Sequence, residues 1–180
     1  MENETPHVLL VDDDQALLQA LPHMVALRLH GVQVDTAASA EEALVMARSC
    51  DYDAIVSDIK MPGMDGIELL SRLHEHRPET PILLITGHME QKLVIEAMQK
   101  GAYDFIQKPI ERVYFVAALH RAIQTHQLQH QVQEQQKLLA SYTKTLQRFA
   151  RQRAEVAPTT EEREAVHAGS PFPTPRWLIS

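Results

Sequence analysis

The sequence predicts a three-layer α/β domain built on a parallel sheet and followed by a helical extension. Three observations carry that expectation. Short apolar runs of strand length alternate with helical patterns through about residue 125, the order expected of βαβ units. Capping and turn residues sit at the joins. Four apolar runs also end in useful chemistry: Val8-Leu9-Leu10-Val11 before Asp12, Asp13 and Asp14; Ala54-Ile55-Val56-Ser57 before Asp58; Ile82-Leu83-Leu84-Ile85 before Thr86; and Tyr103-Asp104-Phe105-Ile106-Gln107 before Lys108-Pro109. Parallel strands place their carboxyl ends on one edge, and ligands bind in the crevice outside it. Carboxylates, a hydroxyl and an ammonium are therefore expected at one site.

The first strand is expected at about His7–Val11. The first helix, roughly Asp14–Leu29, repeats apolar residues at Leu17, Leu18, Leu21, Val25 and Leu29, and Gly31 suits its C-terminal cap. Pro22 lies inside it and should cost about 3 kcal/mol or force a kink. The second strand is about Gln33–Ala37. Ser39-Ala40-Glu41-Glu42 is a capping-box pattern that opens helix two, which ends near Cys50. A third strand leads to Asp58, and Met61-Pro62-Gly63-Met64-Asp65-Gly66 reads as a turn-rich loop. Helix three follows to about Glu75. The fourth strand is Pro81–Ile85, helix four about Met89–Lys100 with Gly101 as its cap, the fifth strand Tyr103–Gln107, and helix five starts near Ile110.

Beyond helix five, Leu128, Val132, Gln135, Leu139, Tyr142, Leu146, Phe149, Arg153 and Val156 are spaced alternately four and three apart, a heptad seam. A dimeric coiled coil is the expectation, and a single helix folded back on its own domain is the alternative. Seven glutamines from Gln124 to Gln136 keep the outer faces polar. Pro158 ends the pattern, and residues 158–180 are proline-rich, charged and expected to be disordered, with a small apolar terminus at Trp177-Leu178-Ile179. The expected division is a domain at 1–125, a helical extension at 126–157 and a tail at 158–180.

Composition narrows the function. The net charge of −7 arises from −9 in residues 1–125 and +2 in the rest, a poor balance for binding nucleic acid. No apolar run reaches the ~18–20 residues of a membrane span, and Met1-Glu2-Asn3-Glu4 lacks the basic-then-apolar order of a signal peptide. Cys50 is the sole cysteine, so a reducing cytoplasm is the expected setting and Cys50 itself is expected to be a small packing residue.

Asp12, Asp13 and Asp58 would crowd like charges whose repulsion is ~1–4 kcal/mol per pair at intermediate dielectrics. A hard divalent cation relieves it, and Mg²⁺ suits an oxygen-only set. With Lys108 as a further positive charge and the Thr86 hydroxyl as a donor, the set suits metal-assisted phosphoryl transfer onto a carboxylate.

At this point the chain resembles a known family, the receiver domain of two-component response regulators. The resemblance rests on Val-Asp-Asp-Asp at 11–14, Ser-Asp-Ile-Lys-Met-Pro-Gly-Met-Asp-Gly at 57–66, Leu-Ile-Thr-Gly-His at 84–88 and Gly-Ala-Tyr-Asp-Phe-Ile-Gln-Lys-Pro at 101–109. It covers about residues 5–125, and is greatest to receivers of nitrogen-regulation-type transcriptional activators. It implies a flavodoxin-like (CheY-like), doubly wound sheet of order 2-1-3-4-5. It further implies Asp58 as phosphoacceptor for a sensor histidine kinase, and Mg²⁺ (or Mn²⁺) held by Asp12, Asp13, Asp58 and the backbone carbonyl of Lys60. By the same resemblance Thr86 and Phe105 form a switch pair, Lys108 binds the phosphoryl group, and the Lys108–Pro109 bond is cis. Such a receiver promotes only its own phosphorylation and dephosphorylation. His88 and Lys60, each two residues past a site residue, would border the phosphoryl group.

Two alternatives stay open. A haloacid-dehalogenase-type phosphatase would use Asp12 as nucleophile and Asp14 as acid/base, but leaves Asp58 and the 61–66 loop without a role. A DNA-binding transcriptional regulator would act through an output domain that is missing or unrecognised here: the chain holds no Gly-x-x-x-x-Gly-Lys-Ser/Thr loop, and no helix-turn-helix pattern follows helix five. The basic run Lys144, Arg148, Arg151 and Arg153 suits an exposed coiled-coil face, so a homodimer with a downstream protein partner is the favoured output. His126 and His130 lie four apart and could share a metal, though solvated helix histidines are the plainer reading.

Overall fold

A computed structural model describes residues 5–87 and 91–156 of the chain. The expectations placed on Met1–Glu4, on His88 and on the 158–180 tail lie outside the described residues. Five strands and five helices alternate: β1 (His7–Val11), α1 (Gln15–Arg28), β2 (Gln33–Ala37), α2 (Ala40–Ser49), β3 (Ala54–Asp58), α3 (Gly66–His76), β4 (Ile82–Thr86), α4 (Gln91–Gln99), β5 (Asp104–Gln107) and α5 (Arg112–Val156). The strands form one parallel sheet in the order β2-β1-β3-β4-β5. The chain divides into two compact units, Met1–Gln133 and Glu134–Ser180, and the sheet belongs to the first.

Side-chain alternation along the strands builds a core on each face of the sheet. Leu9, Val11, Ile55, Ile82 and Leu84 face α2, α3 and α4 through Ala43, Ala47, Leu70, Leu73 and Ala97. Val8, Leu10, Val56, Leu83 and Ile85 face α1 and α5 through Leu21, Val25, Phe115, Leu119 and Ala122. Strands covered on both sides must be apolar at every position. Accordingly β3 and β4 are buried throughout, whereas β2 and β5 at the sheet margins keep exposed or half-buried positions.

Several element ends differ from the sequence expectation. Asp14 is the N-cap of α1, and its carboxylate accepts the Ala16 N–H at 2.8 Å. The C-cap falls at Leu29, whose N–H donates to the Val25 carbonyl, and Gly31 lies in the following turn at φ 77°. α1 keeps Pro22 within its length, and nothing in the structure explains that proline. The expected box opens α2: Ser39 Oγ accepts the Glu42 N–H, while Glu42 accepts the Ala38 N–H. Cys50 caps the other end and is exposed rather than packed, because α2 buries only its alanine stripe and Cys50 lies one residue beyond the helix. α5 begins at Arg112 and not Ile110, since the Glu111 carboxylate takes the N–H groups of Val113 and Tyr114 at 2.9 and 2.7 Å.

Candidate functional site

The carboxyl ends of β1, β3, β4 and β5 bring Asp12, Asp58, Thr86 and Lys108 to one edge of the sheet. Asp12 and Asp58 are only 2% and 4% exposed, and Thr86 1%. Lys108 Nζ bridges the two acids, 2.9 Å from Asp58 Oδ1 and 3.2 Å from Asp12 Oδ2. The Lys108 N–H donates to the Thr86 carbonyl, which ties β5 to β4 at the site, and the Lys108–Pro109 bond is cis, as the resemblance implies.

The three consecutive aspartates do three different things. Asp12 is the buried hub, with its second oxygen accepting the Asp14 N–H at 2.8 Å. Asp13 is exposed and joins Asp12 and Asp58, one carboxylate oxygen from each lying within 4.8 Å of the others. Asp14 is committed to capping α1. The phosphatase alternative needed Asp14 as acid/base, and the structure places it outside the carboxylate cluster.

Burial raises the Asp58 carboxyl above its ordinary value; Lys108 and the Lys60 N–H draw it down, Asp12 pushes it up, and the net direction is upward. Burial would lower the Lys108 ammonium, but Asp58 and Asp12 more than reverse it and hold the proton on. Three carboxylates against one ammonium leave an excess of negative charge. The donors are all oxygen, the set a hard divalent cation takes, so the residues present fit Mg²⁺. Among the described residues this is the only cluster of His, Cys, Asp and Glu with such spacing. His126 is not the solvated helix histidine of the plainer reading: its side chain is half-buried and its Nδ1 lies 3.4 Å from Asp53 Oδ1.

Thr86 and Phe105 share a face of the sheet, because Leu84 is the register partner of Phe105 and Thr86 is two residues further along β4. Phe105 is half-buried against the α2–α4 core. Gly66 is a site residue that the sequence reading took only as a turn former. A Cβ on it would meet the Asp58 carbonyl oxygen at 2.2 Å and Ile59 Cα at 2.9 Å. The glycine lets α3 start against the backbone that carries Asp58, and its N–H donates to the Ile59 carbonyl. Gly63, by contrast, is a conformational glycine at φ 78°. The second glycine of the Pro-Gly-Met-Asp-Gly loop was the available signal.

Comparison with known proteins matches residues 8–120 to the response regulator receiver domain. The C4-dicarboxylate transport transcriptional regulatory protein DctD of Pseudomonas aeruginosa is 43% identical over 122 residues, which are 67% of this chain and 26% of DctD. The transcriptional regulatory protein FixJ of Bradyrhizobium diazoefficiens is 38% identical over 118 residues, 65% of this chain and 56% of FixJ. The signal receiver domain of an HD domain-containing protein from Pseudomonas fluorescens superposes with a TM-score of 0.64 at 31% identity, covering 68% of this chain and 97% of that one. The chain thus spans about a quarter to just over half the length of these curated relatives. No helix among the described residues is long and apolar enough to cross a membrane.

Proposed function

Because this chain belongs to the response regulator receiver domain family of two-component signalling, we propose that Asp58 accepts a phosphoryl group from a sensor histidine kinase. One observation carries the reading: a buried aspartate held beside a lysine and a second buried acid at the ligand-binding edge of a doubly wound sheet. An Asp58 carboxylate oxygen attacks phosphorus, the bond from phosphorus to the kinase histidine breaks with its electron pair leaving on the imidazole nitrogen, and an acyl phosphate forms. Lys108 follows the new charge by exchanging a carboxylate oxygen for a phosphoryl oxygen. Asp12, Asp13 and Asp58, with the Lys60 carbonyl, would hold Mg²⁺ or Mn²⁺, which supplies positive charge against the phosphoryl oxygens.

The phosphoryl group adds about −1.5 to −2 charge and three acceptor oxygens. The Thr86 hydroxyl moves toward it, and Phe105 on the same face takes up the space behind, so that α4, β5 and α5 change their outer surface. Output then passes to a second copy through the heptads of α5, and to a downstream protein. The receiver domain promotes its own modification and acts on no separate substrate.

The test is incubation of the full chain with acetyl phosphate and Mg²⁺. A mass gain of one phosphoryl group, lost in Asp58→Asn, is expected; an unchanged mass in the parent chain defeats the reading. A second reading is favoured by the relatives named as transcriptional regulators, of which this chain matches only a part: the chain is the receiver portion of a DNA-binding regulator. Titration of this chain with nonspecific duplex at low salt tests whether its own residues carry any of that binding, since phosphate contacts give steep salt dependence.

A further inference from the structure

The helical seam holds more than a tendency to pair. We infer that two copies of this chain pair along α5 in parallel and in register, with Gln135 meeting the same glutamine of the second copy and fixing that register. The inference rests on the reading above that α5 joins two copies. With the observed four-three spacing, Val132, Leu139, Leu146 and Arg153 take the a positions, and Leu128, Gln135, Tyr142, Phe149 and Val156 the d positions. Leu139, Tyr142, Leu146 and Phe149 are each at least 60% exposed, an apolar stripe that no described residue of a single copy covers. The seam runs about four heptads, the length a stable coiled coil needs.

Charge identifies the occupant. The flanking e positions are Gln129, Gln136, Thr143 and Ala150, and the g positions are Gln131, Leu138, Thr145 and Gln152. None is charged. Charges in these positions normally select a partner of opposite sign, so this helix offers a charged stranger nothing and meets a like charge of its own copy only at Arg153, near the helix end. The charged side chains lie outside the contact, at Glu134, Lys137, Lys144, Arg148 and Arg151, apart from Arg153 near the helix end.

Gln135 then decides direction and register. An amide both donates and accepts, so two glutamines facing each other satisfy one another. A parallel shift of one heptad sets Gln135 against Leu128 or Tyr142, where its amide loses that partner. An antiparallel pair brings the two glutamines together only when centred on 135, which leaves Leu146 and Phe149 uncovered. Only the in-register parallel pair both matches the amides and buries the whole stripe.

Disulfide trapping in the full chain tests this, with Cys50→Ser removing the exposed native thiol. Leu139→Cys and Phe149→Cys, made separately, should each give a covalent dimer under mild oxidation. In an antiparallel pair that brings one of these positions to its own copy, the other is about 30 Å from its own, far beyond the reach of a disulfide. Trapping at both supports the inference; trapping at one alone, or at neither while sedimentation shows a dimer, overturns it and leaves the pairing of copies standing. A monomer by sedimentation overturns both, whatever the phosphorylation assay on Asp58 reports. Gln135→Leu should tighten the dimer about tenfold and admit slipped register, read as disulfides between Leu139→Cys and Leu146→Cys chains in a mixture. Absence of such mixed disulfides in Gln135→Leu counts against the glutamine's role. The dimer dissociation constant should not rise between about 0.05 and about 0.5 M salt, because no e or g charge is there to be screened; a rise would contradict the charge argument.

Discussion

The two edges of the sheet each hold carboxylates withdrawn from solvent, half-buried at one edge and buried at the other, and their surroundings shift them in opposite directions. At the amino-terminal edge, burial would raise the Asp53 carboxyl, but His126, the His7 N–H and Gln127 reverse it and hold it below the ordinary value. Beside it His7 Nε2 and the Tyr52 hydroxyl both reach Asp35, at 2.9 Å each. At the carboxyl-terminal edge burial and Asp12 outweigh Lys108, and Asp58 is held above its ordinary value. A carboxylate whose oxygens are matched by donors ties a fold together. One left short of positive charge is poised to take a cation or a new group. Family membership and the sheet order say where a receiver's site lies; this difference supports the proposal that Asp58 does more than tie the scaffold together.

The largest expected contrast is chemical. Asp58→Asn should abolish acyl phosphate formation, whereas Asp53→Asn should leave its rate within about threefold, as expected for a change remote from the reacting atoms. Intact-mass time courses of both variants decide it, and equal losses would erase the distinction between the edges.

Next comes the backbone. Gly66→Ala drives a Cβ into the Asp58 carbonyl and should cost about 3 kcal/mol. Gly31→Ala, in the turn before β2, meets no atom within 4 Å and carries only the strain of φ 77°, about 1 kcal/mol. Urea titration of the two variants checks the order.

These glycines also mark how far the sequence could be read. The strand order came only with the family resemblance. The parallel sheet with its helices and the convergence of Asp12, Asp58, Thr86 and Lys108 followed from apolar runs ending in polar chemistry, because strand ends in a parallel sheet share an edge. The separate fates of Asp12, Asp13 and Asp14 did not, since three identical side chains in a row differ only in where the backbone aims them. Gly66 was visible as a glycine but not as a close approach, which depends on α3 meeting β3. The amino-terminal cluster was invisible for a related reason: His7, Asp35 and His126 come from three different elements and Asp53 from the loop before β3. Cys50 was misplaced because a helix end can turn a small residue either way.

Metal binding should stabilise one edge alone. Mg²⁺ at about a hundred times its dissociation constant should add about 2.7 kcal/mol to unfolding. Asp13→Asn should lose most of that gain, and Asp53→Asn should keep it. Thermal melts with and without Mg²⁺ provide the readout.

The smallest contrast is in pH. Asp53 has a lowered folded value, so its contribution is present above the unfolded aspartate value near about 4 and is lost as pH falls through the folded one. Asp53→Asn should remove that loss, which solvent screening keeps small. Asp58 has a raised folded value, so without metal its ionisation subtracts stability as pH rises from the unfolded value through the folded one. Asp58→Asn should remove that decline. Denaturation at a series of pH values shows both slopes, and identical slopes in the two variants would put the edges in the same electrostatic state.

An acyl phosphate is reduced by borohydride to an alcohol, which marks its aspartate permanently. Treatment of the acetyl phosphate- and Mg²⁺-exposed chain with borohydride, followed by peptide sequencing, should find homoserine at position 58 and unmodified aspartate at positions 12 and 13. Homoserine at position 12, or at none of the three, would mean that the aspartate beside Lys108 is not where the phosphoryl group goes.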